Sequence, residues 1–233
     1  MPERFALIIP ALNEIATIRD AIRRIPPDLF DQVIVADNGS SDGTAEAALA
    51  AGAEVIVEPR RGYGLACRAA LARCRREITA IGFMDADLSD DPGDLARLAL
   101  ELQQGGWDMV IGARVPENAE KGSLAPLQRF GNWLSTRLIR TLWQVQFTDL
   151  GPLRIIRREA LERMNLKDRS FGWNVEMQAR AAQLRLRVRE LPVRYSRRQG
   201  GRSKISGTIV GSFRAGVTIL WTLYRCWRSP VRS

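Results

Sequence analysis

The chain has 233 residues, of which 45% are apolar, with 35 Lys and Arg against 26 Asp and Glu and no histidine. That apolar share excludes a disordered chain, and the length allows one large domain or two small ones. The net charge of +9 favours anionic partners such as nucleic acid, acidic lipid or phosphorylated substrates, and the missing histidine leaves carboxylates, Lys, Tyr or water for any proton transfer. Cys67, Cys74 and Cys226 are odd in number and match no zinc or redox spacing, so a reduced, cytosolic compartment is expected. Met1 to Arg4 leads straight into an apolar run too short for a signal peptide, and no uncharged apolar stretch of about 18 residues predicts a membrane span.

Phe5 to Pro10 reads as a strand. Asn13 and Glu14 open an amphipathic helix with Ile15, Ile18, Ile22 and Ile25 on one face, ended by Pro26-Pro27. Gln32 to Ala36 is a second strand, closed by the turn-rich loop Asp37 to Thr44, in which Ser41 or Asp42 can cap a helix from Thr44 to Ala51. Glu54 to Glu58 is a third strand, followed by Arg60-Arg61-Gly62-Tyr63-Gly64 and an Ala-rich helix to about Arg75. The glycine pair fits a phosphate-binding loop or a plain turn, because the full dinucleotide fingerprint is missing. Ile78 to Met84 is a fourth, buried strand. A helix from Asp94 to Gln104 and a strand from Met109 to Ile111 follow, before Gly112-Ala113-Arg114. Five alternations of strand and helix predict a parallel sheet with helices on both faces, and polar residues at each strand's carboxyl end predict a site along that edge.

The fourth strand ends in four acids within seven residues, Asp85, Asp87, Asp90 and Asp91. Residues two apart on extended chain point the same way, so Asp85 and Asp87 can face one spot. Two carboxylates held together repel each other, and a hard divalent ion such as Mg²⁺ or Mn²⁺ relieves the repulsion. The plainer reading is a polar loop with Asp90 or Asp91 capping the next helix.

Pro126 to Leu142 reads as a helix, Phe147 to Pro152 as a loop, Leu153 to Ile156 as a short strand and Arg158 to Met164 as a helix. A further helix runs from Phe171-Gly172-Trp173 to about Leu184, and Arg187 to Tyr195 alternates as a strand. A basic glycine loop from Arg197 to Lys204 follows. It reads either as a solvated charged loop or as an anion-binding one. Residues 207–227 form an apolar, aromatic helix with Ile209, Phe213, Val217, Leu220 and Tyr224 in one stripe and arginines at its end. Arg214 argues against a bilayer span. Two readings stay open, a membrane-interfacial helix or a helix packed on the domain or on a second copy.

Pro10-Ala11-Leu12-Asn13-Glu14, Asp37 to Thr44, Arg61-Gly62-Tyr63-Gly64-Leu65-Ala66, Met84 to Pro92 and Gly112-Ala113-Arg114, in this order and spacing, resemble the motifs of glycosyltransferase family 2. The likeness is to its polyprenyl-phosphate (dolichyl-phosphate) mannose and glucose synthase branch, and it covers nearly the whole chain. The resemblance implies an α/β GT-A fold with a mostly parallel central sheet, a transferase domain over residues 1–206 and an appended helix over 207–233. It implies an inverting hexosyltransferase acting on a UDP- or GDP-linked sugar. Pro10, Leu12, Glu14, Asp37, Gly39, Arg61, Gly62, Gly64, Asp85 and Ala86 would hold the donor, and Asp85 and Asp87 would hold Mg²⁺ or Mn²⁺ on its diphosphate. Asp87, Arg114 and Glu176 would serve the chemistry, and Arg129, Arg202, Ser203 and Lys204 the acceptor.

A lipid phosphate acceptor is already an anion and needs cations; a hydroxyl acceptor needs a base, for which Glu176 or Asp149 is the candidate. Glu176 also reads as a first-turn acid favoured by the helix dipole. The implied setting is cytoplasmic, at the inner membrane face or free of it, as a single chain or a homo-oligomer. Two departures stand out. The stretch Asp149 to Arg154 differs from the mannose synthases, and many relatives continue into membrane helices or a second domain. The remaining alternatives are a transferase to a cell-wall or small-molecule glycoside and, more distantly, a basic nucleic-acid-binding protein, which is not expected because no such motif is visible and the acid cluster repels phosphates.

Overall fold

The computed structural model describes residues 3–115, 117–120, 122–200 and 209–231, without the side chains of 209–215. Its frame is one sheet of seven strands in the order β3-β2-β1-β4-β6-β5-β7. The strands are β1 (Phe5–Ala11), β2 (Gln32–Asp37), β3 (Glu54–Val57), β4 (Ala80–Phe83), β5 (Met109–Ala113), β6 (Arg154–Arg157) and β7 (Val188–Pro192). β1 pairs in parallel with β2 and β4, β2 with β3, and β5 with β7. β6 runs antiparallel between β4 and β5, which the count of alternating elements did not reveal.

The helices are α1 (Ile18–Arg23), α2 (Thr44–Ala50), α3 (Tyr63–Leu71), α4 (Asp94–Gly105), α5 (Pro126–Trp143), α6 (Arg158–Met164), α7 (Trp173–Gln183) and α8 (Ile209–Arg228). Alternate residues of the strands face opposite cores. Phe5, Leu7 and Ile9 of β1 join Ile18, Ala47, Leu95 and Leu98 from α1, α2 and α4. Ala6 and Ile8 join Ala66, Cys67, Leu161 and Trp173 from α3, α6 and α7. The mostly parallel GT-A-like arrangement with helices on both faces is thus present.

Three local expectations are corrected. α1 starts only at Ile18 and leaves Ile15 exposed. The cap of α2 is Gly43, in a left-handed conformation, while Asp42 accepts the Thr44 amide (3.1 Å) and hydroxyl (2.5 Å) from one position earlier. α4 is preceded by Gly93 without a side-chain cap; Asp91 accepts the Gly93 amide (2.9 Å), and Asp90 takes no part.

α8 packs on α5 and α7. Thr222, Leu223 and Cys226 form its buried face. Val217, Leu220 and Tyr224, the expected apolar stripe, lie on the exposed face with Trp221 and Trp227; the side chains of Ile209 and Phe213 lie outside the described residues. Among the described residues no helix is long and apolar enough to cross a membrane.

Candidate active site

The carboxyl ends of β1, β2, β4 and β5 converge on a cavity of about 410 Å³. Pro10, Leu12 and Glu14 line it from β1, Asn38 from β2, Arg61, Gly62 and Tyr63 from the start of α3, Asp85, Ala86 and Asp87 from β4 and Arg114 from β5. The loop 149–152, the N-terminus of α7 and the segment after β7 add Leu150, Asn174, Tyr195 and Arg198. Nine of the residues expected from the sequence, Pro10, Leu12, Glu14, Arg61, Gly62, Asp85, Ala86, Asp87 and Arg114, are therefore brought together.

Asp85 and Asp87 share this cavity as expected, but not through extended chain: β4 ends at Phe83, and Ala86 and Asp87 lie in a turn. The hydroxyl of Tyr63 donates to Asp85 (3.0 Å). Burial, and then the charge of Asp87, push the Asp85 carboxyl up from its ordinary 3.8 to about 7. Asp87 is only 7% exposed and is ion-paired to Arg198 at 2.8 Å. A buried carboxyl that resists ionisation next to a second one fits a hard divalent ion, whose charge offsets both the desolvation of the ionised form and the repulsion from Asp87. Among the described residues no group of three or more His, Cys, Asp or Glu is placed to cage a metal, so the remaining ligands would be substrate oxygens or water.

Asp37 sits at the end of β2, 2% exposed, and does not itself line the cavity. One carboxylate oxygen accepts the Ser40 amide (3.0 Å) while the other is buried without a partner. A buried, unsatisfied acceptor of this kind suits a ligand N–H or hydroxyl. Asn38 was not singled out by sequence. Its amide donates to the carbonyls of Glu58 (2.9 Å) and Arg60 (2.8 Å) and its oxygen accepts the Gly62 amide (2.7 Å), which clamps the β3–α3 loop against β2. In that loop the glycines serve packing. A Cβ on Gly62 would lie 2.1 Å from the Arg169 carbonyl oxygen, and one on Gly64 would lie 2.3 Å from that of Asp168. Gly64 does not line the cavity, and neither does Gly39, a left-handed turn residue with φ of 78°.

Arg114 is held by Asp149, which accepts its amide (3.0 Å), Nε (2.7 Å) and Nη2 (2.8 Å). Burial alone would push the Asp149 carboxyl up, but the charge and hydrogen bonds of Arg114 outweigh it and hold it below its ordinary value. Arg114 also lies over the Tyr195 ring, 5.1 Å from its centroid. Behind these groups Arg154 is wholly buried and donates to the Gly151 carbonyl and to Gln178 (3.4 Å); burial pushes its guanidinium down to about 10. Asp90 is buried with both oxygens unpartnered, and burial first of all pushes it well above the carboxylate range.

Glu176 and Arg129 differ in place from the expectation, and the other three acceptor candidates are not described. Glu176 lies outside the cavity lining. It is wholly buried and accepts the amides of Lys167 (2.9 Å) and Asp168 (2.6 Å), with Arg225 of α8 at 3.5 Å and Arg180 at 3.9 Å. That is the geometry of an anchor between α7, its preceding loop and α8. Arg129 is exposed on α5 and does not line the cavity. Arg202, Ser203 and Lys204 lie outside the described residues. Conversely, Tyr63, Tyr195 and Arg198 line the site although none of them was named singly as a site residue; Tyr63 entered only within its glycine loop. The only signal for Arg198 was its place in a basic stretch.

Comparison with known proteins bears on the family and the fold. The model of the family described as Glycosyl transferase family 2 matches residues 6–164. An uncharacterized glycosyltransferase of Mycobacterium tuberculosis is 39% identical over 207 residues, covering 88% of this chain and 91% of the relative. An undecaprenyl-phosphate mannosyltransferase of Micrococcus luteus is 30% identical over 236 residues, covering 96% of each. The crystal structure of glucosyl-3-phosphoglycerate synthase from Mycobacterium tuberculosis, in complex with Mn²⁺, UDP-glucose and phosphoglyceric acid, matches with a TM-score of 0.76 at 22% identity, covering 98% of this chain and 81% of that one. At that identity the match speaks for the fold.

Proposed function

The chain belongs to glycosyl transferase family 2, and from that premise we propose that it moves a sugar from a UDP- or GDP-linked donor to a polyprenyl phosphate, with inversion at the anomeric carbon and with Mg²⁺ or Mn²⁺ held by Asp85 and Asp87. The observation that carries this reading is the charge layout of the cavity, in which the acid pair is flanked by Arg61, Arg114 and Arg198. Among the described residues, Glu14 is the one further carboxylate lining it, and it is ion-paired to Arg198 at 3.0 Å. A hydroxyl acceptor has to lose a proton, yet Asp149 is locked by Arg114 and Glu176 lies outside the lining. A phosphate monoester is already an anion and needs only cations to hold it.

The roles follow from position, save one. Asp37 lies outside the lining, so its unpartnered buried oxygen is given to the base or ribose by the family resemblance and not by position; Glu14 and the Pro10–Leu12 backbone close that end of the cavity. The acceptor oxygen attacks the anomeric carbon as the bond to the diphosphate breaks; the nucleoside diphosphate leaves with the electron pair and no proton moves. Through the oxocarbenium-like stage of such transfers, the guanidinium of Arg114 faces the growing negative charge, held in place by Asp149. A bound divalent ion supplies further charge compensation at the leaving diphosphate. The Micrococcus luteus relative, named for an undecaprenyl-phosphate acceptor, supports a lipid-linked phosphate. The exposed aromatic faces of α5 and α8 support contact with the membrane surface that carries it.

A second reading keeps the site and changes the acceptor to a small phosphorylated acid, since the structural match of TM-score 0.76 was crystallised with phosphoglyceric acid. One assay separates the two. The protein is incubated with a panel of UDP- and GDP-sugars, Mn²⁺ and either undecaprenyl phosphate in detergent or 3-phosphoglycerate, and wild type is compared with Asp87→Ala. The expected result is metal-dependent transfer to the lipid phosphate that falls about a hundredfold or more in Asp87→Ala, since even outer-shell changes at metal sites cost 10–100-fold. Product on phosphoglycerate alone selects the second reading, and no metal-dependent nucleotide binding at all rejects both.

A further inference from the structure

The segment after β7 runs as a strap across the acid pair. The Ser196 amide donates to the Ser89 carbonyl (2.8 Å) and the Gln199 amide to the Asp87 carbonyl (3.3 Å). Tyr195 bridges to Asp90, and Gly200 lies against Ala16 and Thr17, where a Cβ would meet side-chain carbons at 2.9 Å. Zipped to the acid motif in this way, the strap delivers one guanidinium to two carboxylates of different origin. Arg198 Nη1 is 3.0 Å from Glu14 of the β1 loop and Nη2 is 2.8 Å from Asp87 of the β4 loop. Its side chain is about one quarter exposed (26%), and both partners are nearly buried.

We propose that Arg198 is a removable pin: in the free protein it occupies the charge position that a divalent ion needs at Asp87, and it is drawn off by the donor's diphosphate, so that metal and diphosphate bind together and not one by one. The proposal rests on the metal and nucleotide-sugar reading of this site. The physical reason is like-charge repulsion. A divalent ion on Asp87 would sit beside a guanidinium now 2.8 Å from that carboxylate, and like charges so close inside a protein repel far more strongly than in water. The metal alone must therefore displace Arg198 from its pairs with Glu14 and Asp87. A diphosphate changes the balance, because its oxygens accept the fork of Arg198 at least as well as Glu14 and Asp87 do. The same residue thus opposes the metal alone and favours the metal with diphosphate, which makes it a positioning residue and a sensor of the diphosphate.

The test is binding and needs no turnover. Mn²⁺ affinity is measured from the signal of the free ion in electron paramagnetic resonance, alone and with saturating UDP or, in parallel, GDP, for wild type, Arg198→Gln and Arg198→Lys. In wild type, Mn²⁺ alone should bind weakly and the preferred nucleoside diphosphate should tighten it strongly. In Arg198→Gln, Mn²⁺ alone should bind on the order of tenfold tighter, while the tightening by nucleotide shrinks by a similar factor, a coupling of ordinary size for two linked ligands. Arg198→Lys, which keeps the charge but reaches one carboxylate at a time, should fall between; if the Gln variant does not fold, the Lys variant shows the same two opposed shifts, smaller. Unchanged or weaker Mn²⁺ binding in a folded variant, with wild type behaving as stated, overturns the pin. Wild type that binds Mn²⁺ with neither UDP nor GDP overturns the site reading beneath it.

Discussion

Asp85 is the group expected to govern the pH dependence of the site. Its carboxyl rises from the ordinary 3.8 to about 7 in the folded chain, through burial and then Asp87. The folded state therefore resists ionising this group, and the stability it contributes, full below about pH 4, is lost as pH rises through about 7. A metal needs the ionised form, so Mn²⁺ with nucleotide should bind about tenfold more weakly per pH unit below 7 and level off above it. The rise in melting temperature caused by Mn²⁺ with UDP should accordingly be larger at pH 8 than at pH 6. An equal rise at both would mean that Asp85 is already ionised in the free protein. The hydroxyl of Tyr63 donates to this carboxylate at 3.0 Å and so favours its charged form. Tyr63→Phe should move the pH midpoint upward and weaken Mn²⁺-dependent nucleotide binding roughly tenfold, as removal of an outer-shell partner does at metal sites. An unshifted midpoint in a titration of the variant would remove Tyr63 from the site's electrostatics. The acid pair was legible in the sequence because its placing is local, an apolar strand followed at once by a turn carrying two carboxylates. Tyr63 was not. It lies 22 positions earlier in the chain, and only the packing of α3 against β1 and β2 brings its hydroxyl there.

At the scale of elements, one strand decides what could not be read. β6 runs antiparallel, with Arg154 opposite Phe83 of β4 and Ile111 of β5, so the loop before it arrives at the carboxyl edge of both. That reversal sets Asp149 against Arg114 across 35 positions. Five strand–helix units in series imply parallel neighbours, and nothing in the stretch Asp149 to Arg154 announces a strand inserted the other way. Glu176 shows the same limit. Its first-turn position was consistent with catalysis or with a structural acid, and the choice depends on α8, whose Arg225 reaches it from 49 positions further along the chain (225 minus 176). Glu176→Gln should therefore lower the unfolding free energy by about 3 kcal/mol, the usual cost of breaking a buried charge cluster, measured by urea denaturation. Sugar transfer per folded molecule should stay within about twofold of wild type, as for a residue that acts on stability alone. A transfer loss of about a hundredfold with stability unchanged would return this carboxylate to the chemistry.

On the scale of the whole molecule, the two helices on the outer side of the α3–α6–α7 layer expose a large aromatic surface. α8 turns out Trp221, 60% exposed, with Tyr224 and Trp227, their rings 5.5 and 6.3 Å apart in series. Neighbouring α5 exposes Leu127, Phe130 and Trp133, with Arg137 5.8 Å over the Trp133 ring. Single exposed apolar residues are ordinary, but clusters of this kind mark a contact surface. Aromatic rings beside arginines suit the boundary between headgroups and acyl chains, and a chain of net charge +9 is drawn to an anionic surface. A second copy of the chain would bring its own arginines against these, whereas anionic lipid neutralises them. The expected outcome is co-sedimentation with vesicles containing phosphatidylglycerol, weakened by salt because the attraction is screened. Trp221→Ala with Trp227→Ala should reduce binding by about tenfold or more, since each ring removes apolar contact worth over 1 kcal/mol. Under the proposed lipid-phosphate reading, turnover of a polyprenyl phosphate presented in vesicles should fall with it, while Mn²⁺-dependent UDP or GDP binding in solution stays as in wild type, because these side chains lie outside the cavity lining. Vesicle binding that survives the double substitution would place the contact elsewhere, and a shift from dimer to monomer in the variant would assign the face to a second copy.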